Sequence, residues 1–264
     1  MFILSGLRNR AKRCKFDFLP GNHATMNLLV DIGNTRVKMA LSDGQNLLKV
    51  KATASPSVES FKKFIGHTSL QHIMICTGIS LSPSLLRYLK QKGEINILDS
   101  RCRLPFRNLY RTPHTLGPDR MAAIAGAITL FPRTHLLVAD FGTAITYDLV
   151  NNKGEYLGGN ISPGLEMRFR ALHEFTGKLP RCHSSETFSL TGTSTREAII
   201  NGVQQGLLFE VDSYIRTLRK KIPSLKIIFT GGDAIFFEKN LKYPIFTYPN
   251  LVLTGLNRIL NENS

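Results

Sequence analysis

Apolar residues gather along this chain in short β-branched runs and in longer stretches where they recur every third or fourth position. The first convincing run, residues 27–32 (NLLVDI), ends in Asp31, Gly33-Asn34-Thr35 follows, and a second β-like run covers 36–41. Alternation broken by a glycine turn predicts two strands joined as a hairpin with an acid at its mouth. Residues 135–141 (HLLVADF) repeat the pattern: Asp140 ends the run, Gly142-Thr143-Ala144 follows, and another β-like run covers 145–150. The two copies stand roughly 110 residues apart, the length of one small lobe, which argues for an internally duplicated fold.

The remaining pattern alternates strand and helix. Strands are predicted at 47–52, 72–77, 95–98 and 226–230, and helices at 82–91, 118–130, 165–174, 194–219 and 252–261. Such alternation implies α/β architecture, and antiparallel hairpins at the Asp-x-Gly turns make the sheets mixed.

Composition sets the scale. With 264 residues and 42% hydrophobic residues the chain fills two modest lobes and no more. The longest apolar run, 121–131, is about half of the roughly 20 residues that span a bilayer, so it is expected as a buried helix. Residues 1–25 differ: Arg8, Arg10, Lys12, Arg13 and Lys15 face one acid, Asp17, without apolar periodicity. They are expected to be a disordered basic extension, with lobes over 26–133 and 134–264. The formal net charge of +15 extends beyond this arm to Arg87, Lys90, Lys92, Arg101, Arg103, Arg107 and Arg111. That cluster suits either a solvated face or attraction of anions, and no nucleic-acid-binding signature accompanies it. Cys14, Cys76, Cys102 and Cys182 are scattered without a CxxC pair, which disfavours zinc and disulfides and suits a reducing cytoplasm. No nucleic-acid or membrane partner is expected.

The repeated turn carries the candidate chemistry. Gly33 and Gly142 let backbone N–H groups approach phosphate oxygens, and Asn34, Thr35 and Thr143 add side-chain donors. Asp31 and Asp140 suit cations, one of them Mg²⁺ held through water. One copy alone is explained by an ordinary hairpin turn; two at lobe spacing favour a nucleotide site. Neither GxxxxGK[ST] nor a strand-following GxGxxG is present, which disfavours P-loop and dinucleotide-binding enzymes. Residues 158–164 (GGNISPG) and 230–233 (TGGD) add glycine-rich turns beside predicted helices. Gly117-Pro118-Asp119-Arg120 opens a helix; Asp119 serves either the helix dipole or proton removal from a substrate hydroxyl, and Arg120 suits anionic groups.

Five segments in order, DIGNTRVK (31–38), GPDR (117–120), DFGTAIT (140–146), GGNISPG and TGGD, resemble the type III pantothenate kinases, members of the acetate and sugar kinase, heat-shock ATPase and actin superfamily. The resemblance implies a duplicated ribonuclease H-like fold. It implies an ATP site formed by Asp31, Ile32, Gly33, Asn34, Thr35, Arg36, Val37, Lys38 and Thr143, with Mg²⁺. It further implies Asp119 as catalytic base, Asp140 as ligand of a monovalent cation (K⁺ or NH₄⁺), and substrate contacts from Tyr110, Gly117, Pro118, Asp119, Arg120 and Thr195. The implied reaction is phosphorylation of pantothenate by ATP in a homodimer. Ile199, Val203, Leu207, Leu208, Val211 and Ile215 form a stripe on the helix at 194–219 that suits either a subunit contact or the chain's own core. A sugar or acetate kinase would share the loops, but GPDR argues against it. Some relatives are discussed as transcription regulators; the intact Asp31, Asp119 and Asp140 favour catalysis.

Overall fold

A computed structural model describes residues 26–264; the expectation for residues 1–25 lies outside them. The first sheet is built by β1 (Met26–Ile32), β2 (Val37–Ser42), β3 (Leu47–Thr53), β4 (Leu70–Thr77) and β5 (Glu94–Ile97) in the order β3-β2-β1-β4-β5. Here β1, β2 and β3 form an antiparallel meander and β4 and β5 add in parallel. The second sheet contains β6 (Arg107–Asn108), β7 (Leu136–Phe141), β8 (Ala144–Val150), β9 (Glu155–Pro163), β10 (Lys226–Gly231) and β11 (Ile245–Thr247), ordered β11-β10-β7-β8-β9-β6. From β7 to β11 it repeats the strand pairing of the first sheet, an antiparallel meander followed by two parallel additions. The duplication expected from the two Asp-x-Gly turns is therefore present, as the duplicated ribonuclease H-like fold.

Strand alternation sorts side chains into layers. Leu28, Val30 and Ile32 face α1 (Val58–Ile65) and α2 (Pro83–Lys90), whereas Leu29, Ala40, Met74 and Cys76 face the opposite way. That inner layer holds α3 (Pro118–Leu130) and, from the far end of the chain, α7 (Leu251–Asn263), together with Leu136, Val138 and Ile228 of the second sheet. The outer face of the second sheet, with Leu137, Ala139 and Phe141, is covered by α4 (Leu165–Glu174), α5 (Thr195–Lys221) and α6 (Ala234–Asn240). The order is helices, sheet, helix pair, sheet, helices.

Two differences from the sequence reading matter. The α5 stripe packs entirely in the core over the second sheet, so the expectation that it forms a subunit contact gives way to the alternative stated beside it. The GGNISPG segment is largely strand, the end of β9, because Leu149 to Ala144 offer it a continuous antiparallel partner. Strands β6 and β11, of 2 and 3 residues, are too short to show a period, whereas α1 went unread although Phe61, Phe64 and Ile65 recur at helical spacing over its 8 residues.

Candidate active site

Register places the acids. Asp31 has the parity of Leu29 and Asp140 that of Leu136 and Val138, so both carboxylates point into the layer between the sheets, at the ends of β1 and β7. Helix α3 lies in that layer and begins with Pro118 after Gly117 as its N-cap, which puts Asp119 in the first turn. The charge of Asp119 reaches both strand-end acids. Burial, then the charge of Asp119, push the Asp31 carboxyl up to about 6 against the pull of Lys38. Burial, then Asp31 and Asp119, push Asp140 up to about 7. The Cys76 thiol, paired in register with Asp31 across β1 and β4, is held well above its usual range by burial and by all three carboxylates. The sequence reading missed Cys76; only its position opposite Asp31 gives it away.

The first turn closes through Gly33, whose N–H donates to the Arg36 carbonyl at 3.0 Å, and leaves Gly33, Asn34, Thr35 and Arg36 exposed. Ile32 and Val37 are buried anchors beneath it. Lys38 stands opposite Asp31 and its Nζ donates to the Pro249 carbonyl at 2.6 Å, linking the first sheet to the segment before α7. The second turn is shorter by one residue: Gly142 N–H donates to Ala144 O at 3.1 Å, with Thr143 exposed. The other glycine segments crowd this turn. Gly164 N–H donates to Thr143 O at 3.1 Å, and a Cβ at Gly164 would stand 2.3 Å from Gly142 O. Gly231, at φ 95°, leaves no room for a Cβ, which would lie 2.4 Å from Phe141 O and 2.5 Å from Asp140 Oδ1. Asp233 closes the approach, its N–H bonded to Phe141 O at 3.1 Å; burial raises its carboxyl while Arg36, across the cleft, lowers it. Two exposed turns thus face one cleft, each offering N–H groups, hydroxyls and a carboxylate.

At the start of α3, Asp119 Oδ1 accepts from the Arg120 N–H at 2.9 Å and packs where a Cβ on Gly117 would be, 2.6 Å away, so Gly117 makes room for the carboxylate. Arg120 is buried and engaged by Asp148 and Tyr156, and Tyr110 lies across it with its ring 5.9 Å from the guanidinium carbon. Thr195 is not brought to this group: it opens α5, exposed, on the opposite face of the second sheet from α3.

The donor set suits the implied cations. Among the described residues no three His, Cys, Asp or Glu side chains form a ready metal cage. Mg²⁺ needs only one or two carboxylates, filling its shell with water and phosphate oxygens, and Asp31 beside an exposed N–H turn meets that requirement.

Comparisons with known proteins agree with the geometry. The family model described as type III pantothenate kinase matches residues 27–217. A type III pantothenate kinase of Bacteroides fragilis strain YCH46 is 44% identical over 240 residues, covering 90% of this chain and 99% of the relative. A solved structure from Campylobacter jejuni, described as a Baf family transcriptional activator, superposes with TM-score 0.58 at 26% identity over 89% of this chain and 98% of that one. A 2-dehydro-3-deoxygalactonokinase structure from Sinorhizobium meliloti shares the fold with TM-score 0.55 at 13% identity, covering 89% and 98% of the two chains. The chain belongs to the type III pantothenate kinase family.

Proposed function

We propose that this chain transfers the γ-phosphoryl group of ATP to the primary hydroxyl of pantothenate, giving 4′-phosphopantothenate and ADP, the first step toward coenzyme A. The observation that carries this is the convergence of Asp31, Asp119 and Asp140 between two phosphate-type turns in a chain of this family. The exposed turn at Gly33, Asn34, Thr35 and Arg36, with Thr143 opposite, cradles the triphosphate through N–H and hydroxyl donors, while Lys38 lends positive charge. Mg²⁺ bound with ATP beside Asp31 would neutralise phosphate charge. Asp119 accepts the proton as the acceptor oxygen bonds to the γ-phosphorus and the β–γ bridging bond breaks, its electron pair leaving with ADP. Tyr110, Gly117, Pro118 and Arg120 line the acceptor side.

Asp140 is the proposed anchor of a monovalent cation, K⁺ or NH₄⁺, because its carboxylate is half-buried at the second turn. The working lobes are 26–133 and 134–264, each lending the other one element: β6 joins the second sheet and α7 packs on the first. A cytoplasmic site fits scattered cysteines and the lack, among the described residues, of a helix long and apolar enough to cross a membrane. A homodimer is proposed in which Thr195 serves the partner's pocket.

A coupled ADP-release assay with pantothenate, with and without potassium, tests the reading. Turnover dependent on pantothenate supports it, and its absence overturns it; activity indifferent to potassium removes the cation assignment alone.

A further inference from the structure

One charged group in the middle layer has no part in the reaction described above. Asp148 sits in β8 on the inner face, fully buried, the one charged residue of that strand. Its Oδ1 accepts from Arg120 Nη2 at 2.7 Å and Nε at 3.1 Å, a fork that fixes the guanidinium plane. Arg120 Nη2 also donates to the Tyr156 hydroxyl at 2.8 Å. Space for this is made on the neighbouring strand: Asp148 pairs in register with Gly159, and a Cβ there would stand 2.6 Å from Arg120 Nη2 and 2.8 Å from Asp148 Oδ1. Tyr110 completes the cluster, its ring 5.9 Å from that of Tyr156 and from the Arg120 guanidinium carbon. The strand pairing that carries Tyr110 there also involves Tyr156, whose carbonyl accepts from Leu109 N–H at 3.0 Å.

We infer that Asp148 is a positioning residue of the acceptor site: with Tyr156 it fixes Arg120 and Tyr110, and thereby presets the pocket for the anionic acceptor. The inference rests on the pantothenate kinase reading. Arg120 is 5% exposed, and a long cation so enclosed keeps one orientation only while its fork is held on a fixed carboxylate. The nucleotide turns share none of these hydrogen bonds, and the charge of Asp148 ranks below burial, Asp31, Asp119 and Lys38 in its influence on Asp140, so loss of the cluster acts mainly on the acceptor.

The experiment measures KM for pantothenate and for ATP separately in wild type, Asp148→Asn, Tyr156→Phe and Arg120→Lys, and in the Asp148→Asn/Arg120→Lys double variant. We expect Asp148→Asn to raise the pantothenate KM by about tenfold or more with the ATP KM within about twofold, and Tyr156→Phe to raise it by roughly threefold in the same selective way. In the Arg120→Lys background, Asp148→Asn should add little further, since both act through one interaction. Tyr156→Phe removes a single hydroxyl and decides the matter if Asp148→Asn does not fold. Variants that lower the melting temperature while both KM values keep their wild-type ratio overturn the inference, as does full additivity in the double variant. A wild-type chain that fails to phosphorylate pantothenate overturns the underlying reading, an outcome recognised before any variant is compared.

Discussion

At the scale of single residues, three carboxylates share one cleft, and their different surroundings suit the different tasks proposed for them. Asp119 is exposed at a helix start, held by its own neighbour's N–H, which suits a group that must meet a substrate proton. We expect Asp119→Asn to keep the fold and ATP binding while kcat falls by about 10²–10⁴-fold, because the amide preserves shape and loses basicity; near-normal turnover would remove Asp119 as the base. Asp31 and Asp140 are held near 6 and 7, above their ordinary 3.8, chiefly by burial. For such groups the folded chain binds protons the unfolded chain releases, so their contribution to stability is full below about pH 4 and is lost as pH rises through 6 and 7. The ligand-free protein is therefore expected to weaken across that window, and Asp140→Asn to flatten the slope. At pH 8 that variant should gain about 1 kcal/mol, or about 2–4 °C in Tm for a chain of this size, at the expense of any cation bound there. A pH series of thermal melts settles the sign: a lower Tm for Asp140→Asn at pH 8 would mean favourable contacts outweigh burial. Asp31, Asp119 and Asp140 were legible in the sequence because each sits in a repeated or punctuated motif. Cys76 and Asp148 were not, since their roles arise from cross-strand register and from a helix packed above the strand.

At the scale of elements, the middle layer depends on how closely α3 and α7 approach. Gly126 and Gly255 face one another there: a Cβ on Gly255 would stand 1.7 Å from Ala122 O, and one on Gly126 would stand 2.3 Å from Leu251 O. Because α3 carries Asp119, this crossing couples the helix of the proposed base to both sheets. Gly255→Ala is expected to destabilise by about 1–3 kcal/mol through overpacking. The same change at Gly206, in α5, meets nothing within 4 Å and should stabilise by about 0.5–1 kcal/mol through helix propensity. Denaturant titrations of both variants give the two signs, and a stabilising Gly255→Ala would contradict the tight crossing. The helices at 118–130 and 165–174 were read from sequence with these limits because small or periodic apolar residues follow a punctuating Gly or Pro. Strand β9 was read only as glycine-rich turns: Gly158 and Gly159 have low strand preference, Gly159 enters the ladder by pairing with β8, and Gly158 takes φ 129° beside the register shift.

At the scale of the whole molecule, the proposed acceptor pocket is short of one expected contact, and the layer order says where it would come from. Thr195 lies with α5 outside the second sheet, whereas Asp119, Arg120 and Tyr110 lie inside it. The α5 stripe, which suited either a subunit contact or the core, packs in the chain's own core, with Ile199 and Val203 also edging the groove beside α4, so a contact would draw chiefly on residues the core leaves out. Phe175 and Phe209, 85% and 59% exposed, and the groove of about 590 Å³ between α4 and α5 lined by Ala171, Leu172, Ala198 and Gly202 lie on that side. A two-fold contact through this face would bury these apolar groups and carry Thr195 toward a neighbouring molecule. Sedimentation at assay concentration is expected to show a dimer, and a fully active monomer would end the proposal. The pocket itself is tested by mixing Asp119→Asn and Thr195→Ala chains, each inactive or nearly so alone. If one site draws its base from one subunit and Thr195 from the other, half of the sites in a mixed dimer are intact. With random exchange at equal concentrations, activity should then return to roughly a quarter of wild type. No recovery, under conditions where subunit exchange is verified, would place Thr195 in the pocket of its own chain or outside the site altogether.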